Sequence, residues 1–291
     1  MNNKYSNLKF AFMSFSLSFF VFSLALLLLM SYGAPGKAVQ AAVSIPVAEE
    51  TYRPSKDDAL AVLFMGMATR DSLPGLYILA KLDPQRSAVT ILILPPETAV
   101  QNNGGTEALA EVYRYGGADY TRDTLAKTLG ISIDRFARMD YAAFILAADT
   151  IGSMEADLEN DIIIDAGGAQ LNMRAGKQLL DGQRLLALMR AYQSSRELED
   201  KYGLIGILCM EMTNQRIDIA LSTAYERVFE RIINLIDSDI SYADFHSRME
   251  ATAWLAKQPS PAVLLTPSGT WENGLYILND TFLAEVAEMM G

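Results

Sequence analysis

Apolar positions come first as one unbroken run and then as short runs separated by polar and glycine-rich stretches. The unbroken run is densest from Phe10 to Met30, and no charge occurs between Phe10 and Gly36. About 20 apolar residues suffice to cross a bilayer as a helix. Lys4 and Lys9 precede the run, so the positive-inside rule puts the N-terminus in the cytoplasm and the remainder outside. Two readings compete here. One is an uncleaved transmembrane anchor over 10–32; the other is a signal peptide cleaved at the small residues near Ala41, which would release a secreted protein. The length of the run, and its distance from Ala41, favour the anchor. The expected organisation is a cytoplasmic N-terminus over 1–9, the anchor over 10–32, an extracytoplasmic tether over 33–57, and a folded domain over 58–291.

The short runs predict the folded domain. Ala59–Met65, Leu76–Leu82 and Ala88–Leu94 read as strands, the first covered on both faces, and Asp83-Pro84-Gln85-Arg86 reads as a turn between the second and third. Pro95-Pro96 stops the third strand. Helices are expected at Glu107–Tyr115 and Arg122–Leu129, separated by Gly116-Gly117, then at Tyr141–Ile151 and Gly182–Tyr192, with a strand at Asp161–Asp165. Ser194-Ser195-Arg196-Glu197 fits a capping box opening a helix with Leu198, Tyr202, Ile205, Leu208 and Met212 on one face, and Thr223-Ala224-Tyr225-Glu226 fits another. Two more helices, strands near Val263 and Tyr276, and a last helix from Thr281 complete the pattern. Strands alternating with helices predict an α/β fold with helices on both faces of a sheet.

Composition narrows the chemistry. Of 291 residues, roughly 240 follow the apolar segment and tether, near the upper end for one core. The net charge of −11 argues against nucleic acid or anionic lipid surfaces as general partners. The single cysteine, Cys209, and single histidine, His246, build neither a disulfide nor a Cys/His metal site. Cys209 sits in an apolar run and reads as a small buried hydrophobe, and His246 is not expected to serve as a catalytic base. No GxGxxG follows the first strand and no GxxxxGK[ST] occurs. Asp157, Glu159, Asp161 and Asp165 lack the EF-hand order and read as a solvated loop rather than a cation site; Glu197, Glu199 and Asp200 suit the start of a helix. Asn279-Asp280-Thr281 has the glycosylation pattern but also reads as a helix start.

Several stretches together resemble the LytR-CpsA-Psr family of cell-envelope proteins, over about Ala59 to Met290. The most specific is GKQLLDGQRLLALMR, Gly176 to Arg190, with its Leu-Asp-Gly and Leu-rich helix ending in Arg. VLFMGMATR, ILPPETAV, AEVYRYGG and LGISIDRFARMDYAAFILAADTIG resemble further family segments in the same order. The resemblance implies a bacterial, membrane-anchored protein with a three-layer α/β/α domain around a central mixed sheet. Such proteins transfer a glycopolymer from a polyprenyl-pyrophosphate carrier to peptidoglycan. They hold the lipid in an apolar pocket, clamp the pyrophosphate with arginines, and use acidic residues to bind Mg²⁺ or act as base.

This chain departs from that equipment. In the family's Gly-x-Asp-x-Arg the Asp position is Ala68, while Arg70 remains. Arg-Ser-Asp-Thr falls on Leu73, Pro74, Gly75 and Leu76. In Pro-Arg-Asp-Thr the Arg is Pro96 and the Asp is Glu97; in Arg-x-Arg the pair is Arg190 and Tyr192. Asp-x-x-Arg-x-x-Arg-Gln falls on Asp200, Gly203, Gly206 and Ile207. Losing one donor to a developing charge costs roughly 2.7–4 kcal/mol, so several losses together disable pyrophosphate displacement. The remaining candidates are Arg70 and Arg190 as phosphate ligands and Glu97 with Arg190 as catalytic residues. Their alternatives are surface charge for Arg70 and a structural Arg190–Glu97 ion pair. The leading expectation is a catalytically degenerate protein, without cofactor, that binds a polyprenyl-linked lipid, an envelope glycopolymer or an envelope partner. The rivals are an active Mg²⁺-dependent phosphotransferase using Glu97 and Arg190, and a structural or interaction module without ligand.

Overall fold

The computed structural model describes residues 52–102, 104–165, 170–194 and 201–291. The expected anchor, the tether as far as residue 51, the Ser195–Asp200 stretch and the side chain of Asp165 lie outside the described residues.

The three apolar runs become β1 (Leu60–Met67), β2 (Pro74–Asp83) and β3 (Ala88–Leu94), paired antiparallel in that order. Asp83 closes the expected turn by accepting the Arg86 N–H. A hairpin follows, β4 (Ala99–Asn102) with β5 (Gly105–Ala108). It corrects the helix expected from Glu107: that residue pairs with Val100, and α1 (Leu109–Leu129) starts two residues later. Gly117, at φ 70 and ψ −165, breaks α1 where two helices were expected, a backbone conformation that costs glycine little.

β6 (Arg135–Asp140) joins β1 in parallel and leads directly into α2 (Tyr141–Ile151), which Asp140 caps through the Ala143 N–H at 2.8 Å. Two small antiparallel pairs come next: β7 (Met154–Leu158) with β10 (Gly176–Leu180), and β8 (Ile162–Asp165) with β9 (Gln170–Met173). They precede α3 (Gly182–Ser194), α4 (Lys201–Arg216), a 3-10 segment over Ile217–Leu221, and α5 (Tyr225–Ile233). The box expected at Thr223 does not form. Ala224 is the N-cap, and its methyl offers no acceptor; the helix starts one residue after Thr223, and the Ser222 hydroxyl accepts the Ala224 N–H in the preceding turn. The chain continues as β11 (Asp237–Ser238), α6 (Tyr242–His246), α7 (Met249–Leu255), β12 (Ala262–Leu265), the hairpin β13 (Gly269–Glu272) with β14 (Leu275–Leu278), and α8 (Asp280–Met290). Asn279 caps α8 through the Phe282 N–H and donates to Ser268 Oγ, so its amide serves the fold.

The central sheet is mixed, in the order β11-β6-β1-β2-β3-β12, with β1–β6 and β3–β12 parallel. Alternation along the strands divides the core. Leu63, Met65, Tyr77, Leu79, Leu92 and Leu94 face one way, onto α1 and α8. Ile91, Ile93, Leu76 and Ile78 face the other way, onto α3 and α4. This second face is incompletely filled.

Candidate functional site

An apolar pocket with a volume of about 110 Å³ opens between the second face of the sheet and helices α2, α3 and α4. Its floor is Phe64, Gly66, Leu76 and Ile78; its walls are Tyr141 and Phe144 of α2, Leu186 and Met189 of α3, and Ile205 of α4. The apolar lining suits the end of an apolar chain.

Local sequence builds the walls. Asp181 accepts the Arg184 N–H at 2.8 Å, starting α3, and Gly182 donates its N–H to Asp149 on α2 at 2.7 Å. A Cβ at Gly182 would lie 2.4 Å from the Ile145 carbonyl oxygen and 2.9 Å from its Cα. The Leu-Asp-Gly stretch is therefore the joint at which α3 crosses the backbone of α2. It sets the separation of the two helices that wall the pocket.

The joint aims Arg190, two turns along α3, at the pocket mouth. Its guanidinium lies over the Tyr141 ring, 4.9 Å from the centroid, a cation–π contact that leaves its hydrogen-bond donors available. Gln193 stands one turn further on and donates to the Gly75 carbonyl, tying the end of α3 to the start of β2. Tyr141, Arg190 and Gln193 also line a second, more polar space with Ser194, so the apolar chamber gives onto a polar vestibule.

The sequence-predicted residues are only partly brought together. Arg190 is at the mouth and exposed. Arg70 is exposed in the β1–β2 turn and does not line the pocket. Glu97 is exposed after β3, with its carbonyl accepting the Tyr276 N–H at 2.9 Å. Burial, and then the Glu97 charge, pushes the Tyr202 hydroxyl above its ordinary pKa. The Arg190–Glu97 ion pair does not occur among the described residues; Arg190 stacks on Tyr141 instead. Tyr141 and Gln193 went unnoticed in the sequence. The only available signal was their position at the two ends of segments already singled out.

Apart from Arg190, the lining of this pocket carries no charge. Leu76 contributes to the apolar floor, and Gly75 offers its carbonyl to Gln193. Tyr192 packs against the second core cluster, and burial, then Glu159, raises its hydroxyl pKa. At Gly206 a Cβ would meet Leu264 Cδ1 at 2.4 Å and Ile93 Cγ1 at 3.3 Å, so α4 lies too close to the sheet for an arginine. A hard cation needs several oxygen ligands. Ala68 and Gly75 offer no carboxylate, and among the described residues no group of three or more His, Cys, Asp or Glu is placed to hold a metal. These donors do not fit Mg²⁺. Asp161 instead accepts the Ala175 N–H at 2.7 Å. Cys209 packs against the second core cluster, where burial pushes its thiol up to about 12. His246 is exposed and stacks on Tyr242, with ring centroids 5.6 Å apart.

The polyisoprenyl-teichoic acid–peptidoglycan teichoic acid transferase TagV of Bacillus subtilis (strain 168) is 28% identical over 167 residues, 52% of this chain. The match spans only 40% of TagV's length. The transferase TagU of the same strain is 22% identical over 236 residues, covering 76% of this chain and 73% of TagU. The crystal structure of Bacillus subtilis TagV superposes with a TM-score of 0.65 at 20% identity, covering 81% of this chain and 97% of that one. The model of the LytR_cpsA_psr family matches residues 32–200, more than half the sequence, and the chain belongs to that family.

Proposed function

We propose that this chain is a membrane-anchored, extracytoplasmic family member that holds a polyprenyl-linked lipid and does not transfer glycopolymer. The observation that carries the reading is the open apolar pocket with Arg190 at its mouth and neutral residues elsewhere in its lining. An isoprenoid tail would lie against Phe64, Ile78, Phe144 and Ile205, and its phosphate would meet Arg190 in the vestibule. The relatives' names supply the lipid class: TagV and TagU are polyisoprenyl-teichoic acid–peptidoglycan transferases. Departure of a pyrophosphate needs its growing charge neutralised. One arginine without a metal supplies little of that, and Glu97 is not paired with it. Membrane anchoring rests on the uncharged run from Phe10 to Met30, and it would tether the domain to the bilayer in which such a lipid resides.

The test is thermal unfolding of the full chain with polyprenyl phosphate or pyrophosphate. A ligand bound only to the folded state stabilises it by about 2.7 kcal/mol at a hundredfold excess over Kd. The expected result is a rise in Tm that Arg190→Ala reduces, with no release of carrier from a glycopolymer-linked substrate. No shift at high lipid concentration sinks the binding reading. Carrier release in Mg²⁺ that Arg190→Ala abolishes sinks the non-catalytic one and restores the phosphotransferase.

A further inference from the structure

A second hollow lies apart from this pocket, among the end of α4, the 3-10 segment after it, and helices α5 and α6. Its volume is about 320 Å³. Helix α5 is amphipathic, with Tyr225, Val228, Phe229 and Ile232 spaced to form one face. All four line the hollow, yet no residue of α5 is buried. A helix that turns its apolar face inward normally buries it, and apolar walls without partner atoms forgo dispersion contacts. The inward face of α5 therefore lacks the packing that its sequence is built to receive.

The lining carries one charge, Arg216. Its Nη2 donates to the Ser153 carbonyl, while its Nε is buried and without a partner. No carboxylate among the described residues pairs with it, although the chain has 35 acidic residues against 24 basic ones. A trough of apolar side chains with an uncompensated guanidinium is complementary to a chain with one anionic end. Guanidinium recognises carboxylate strongly, by charge-assisted hydrogen bonds.

We propose that this hollow is a binding site for a single-chain carboxylate amphiphile, a fatty acid. The acyl chain lies under α5 against Val228, Phe229 and Ile232, and the carboxylate meets Arg216. Phe245, stacked on Phe229 with centroids 4.1 Å apart, forms the end wall. The inference is independent of lipid binding in the first pocket, because the two sites share no lining residue.

The experiment uses the full chain in lipid nanodiscs with a diazirine-bearing palmitic acid, and with the diazirine-bearing alcohol of the same length as the uncharged control. After irradiation, labelled peptides are mapped. The acid is expected to label peptides spanning Met212–Ile219 and Tyr225–Ile232, and unlabelled palmitate to compete. Arg216→Gln should lower labelling by the acid about tenfold, the worth of a charge-assisted hydrogen bond, without lowering labelling by the alcohol; Arg216→Lys should retain part of it. Because Arg216 also braces Ser153, a second variant guards against misfolding. Val228→Trp, on a surface helix, fills the hollow and should remove labelling while melting no lower than the parent. Equal labelling of the hollow by acid and alcohol, labelling confined to the first pocket or absent, or acid labelling that survives Val228→Trp each overturns the proposal.

Discussion

Asp244 shows how much one side chain can set. It is buried, and burial alone would push its carboxyl pKa up. Arg135 overrides this with two hydrogen bonds of 2.9 Å, and the Ser241 N–H and hydroxyl add bonds of 2.8 and 2.7 Å. The result is a carboxyl held down at about 2. The unfolded value is about 3.9, so the depressed group stabilises the fold fully above roughly pH 4 and loses that contribution as pH falls toward the folded value. The contribution is about 1–2 kcal/mol once solvent screening is allowed for. Asp244→Asn should lower stability at neutral pH by at least that amount, because it also strands the Arg135 guanidinium. Denaturant titrations at several pH values between 2 and 5 should show a shallower acid decline for the variant; parallel declines would assign the acid sensitivity to other carboxylates. The Ser241/Asp244 box escaped the sequence because its acid is Asp, whereas the pattern that was sought ends in Glu or Gln.

At the scale of elements, the decisive contact is the crossing of α3 over α2 at Gly182. Ile145 presents backbone at that point, so neither side can yield by turning a rotamer. Gly182→Ala should cost about 1–3 kcal/mol, as overpacking does, and should weaken polyprenyl ligands through the displaced walls. Gly206→Ala meets side-chain atoms rather than backbone, the Leu264 methyls and Ile93 Cγ1, which can shift, and should cost less. Chemical denaturation of both variants checks the order; equal losses would deny Gly182 its role as the joint. The long elements were legible because apolar residues dominate each of them: seven of the eight residues of β1, six of the ten of β2, six of the seven of β3 and nine of the eleven of α2. The hairpin β4–β5 and the strands β9 and β10 were not legible. They are four or five residues long and pair at the surface, where Leu179 is 59% exposed, so burial writes little into their sequence.

At the scale of the whole molecule, the sheet has one face packed solid and the other held open. The solid face takes α1 and α8 across Leu63, Tyr77 and Leu92, all fully buried. The open face keeps its space between α2 and α3, which are held together by the close approach at Gly182 and by the Arg190–Tyr141 stack, while Gln193 braces α3 to Gly75. The sequence disclosed Arg190 and the Leu-rich helix, since these form one continuous stretch. It could not disclose the Arg190–Tyr141 stack, whose partners are 49 residues apart and meet only through the fold. If the open face is a ligand chamber rather than a packing fault, filling it should separate stability from binding. Leu186→Trp places a larger apolar side chain in the chamber wall and leaves Arg190 unsubstituted. Additional apolar contact favours the folded state at about 25 cal/mol per Å² buried, so Tm without lipid should hold or rise. The rise in Tm caused by polyprenyl phosphate should disappear. A variant that melts lower yet keeps its lipid shift would place the ligand elsewhere and leave the open face without a role in binding.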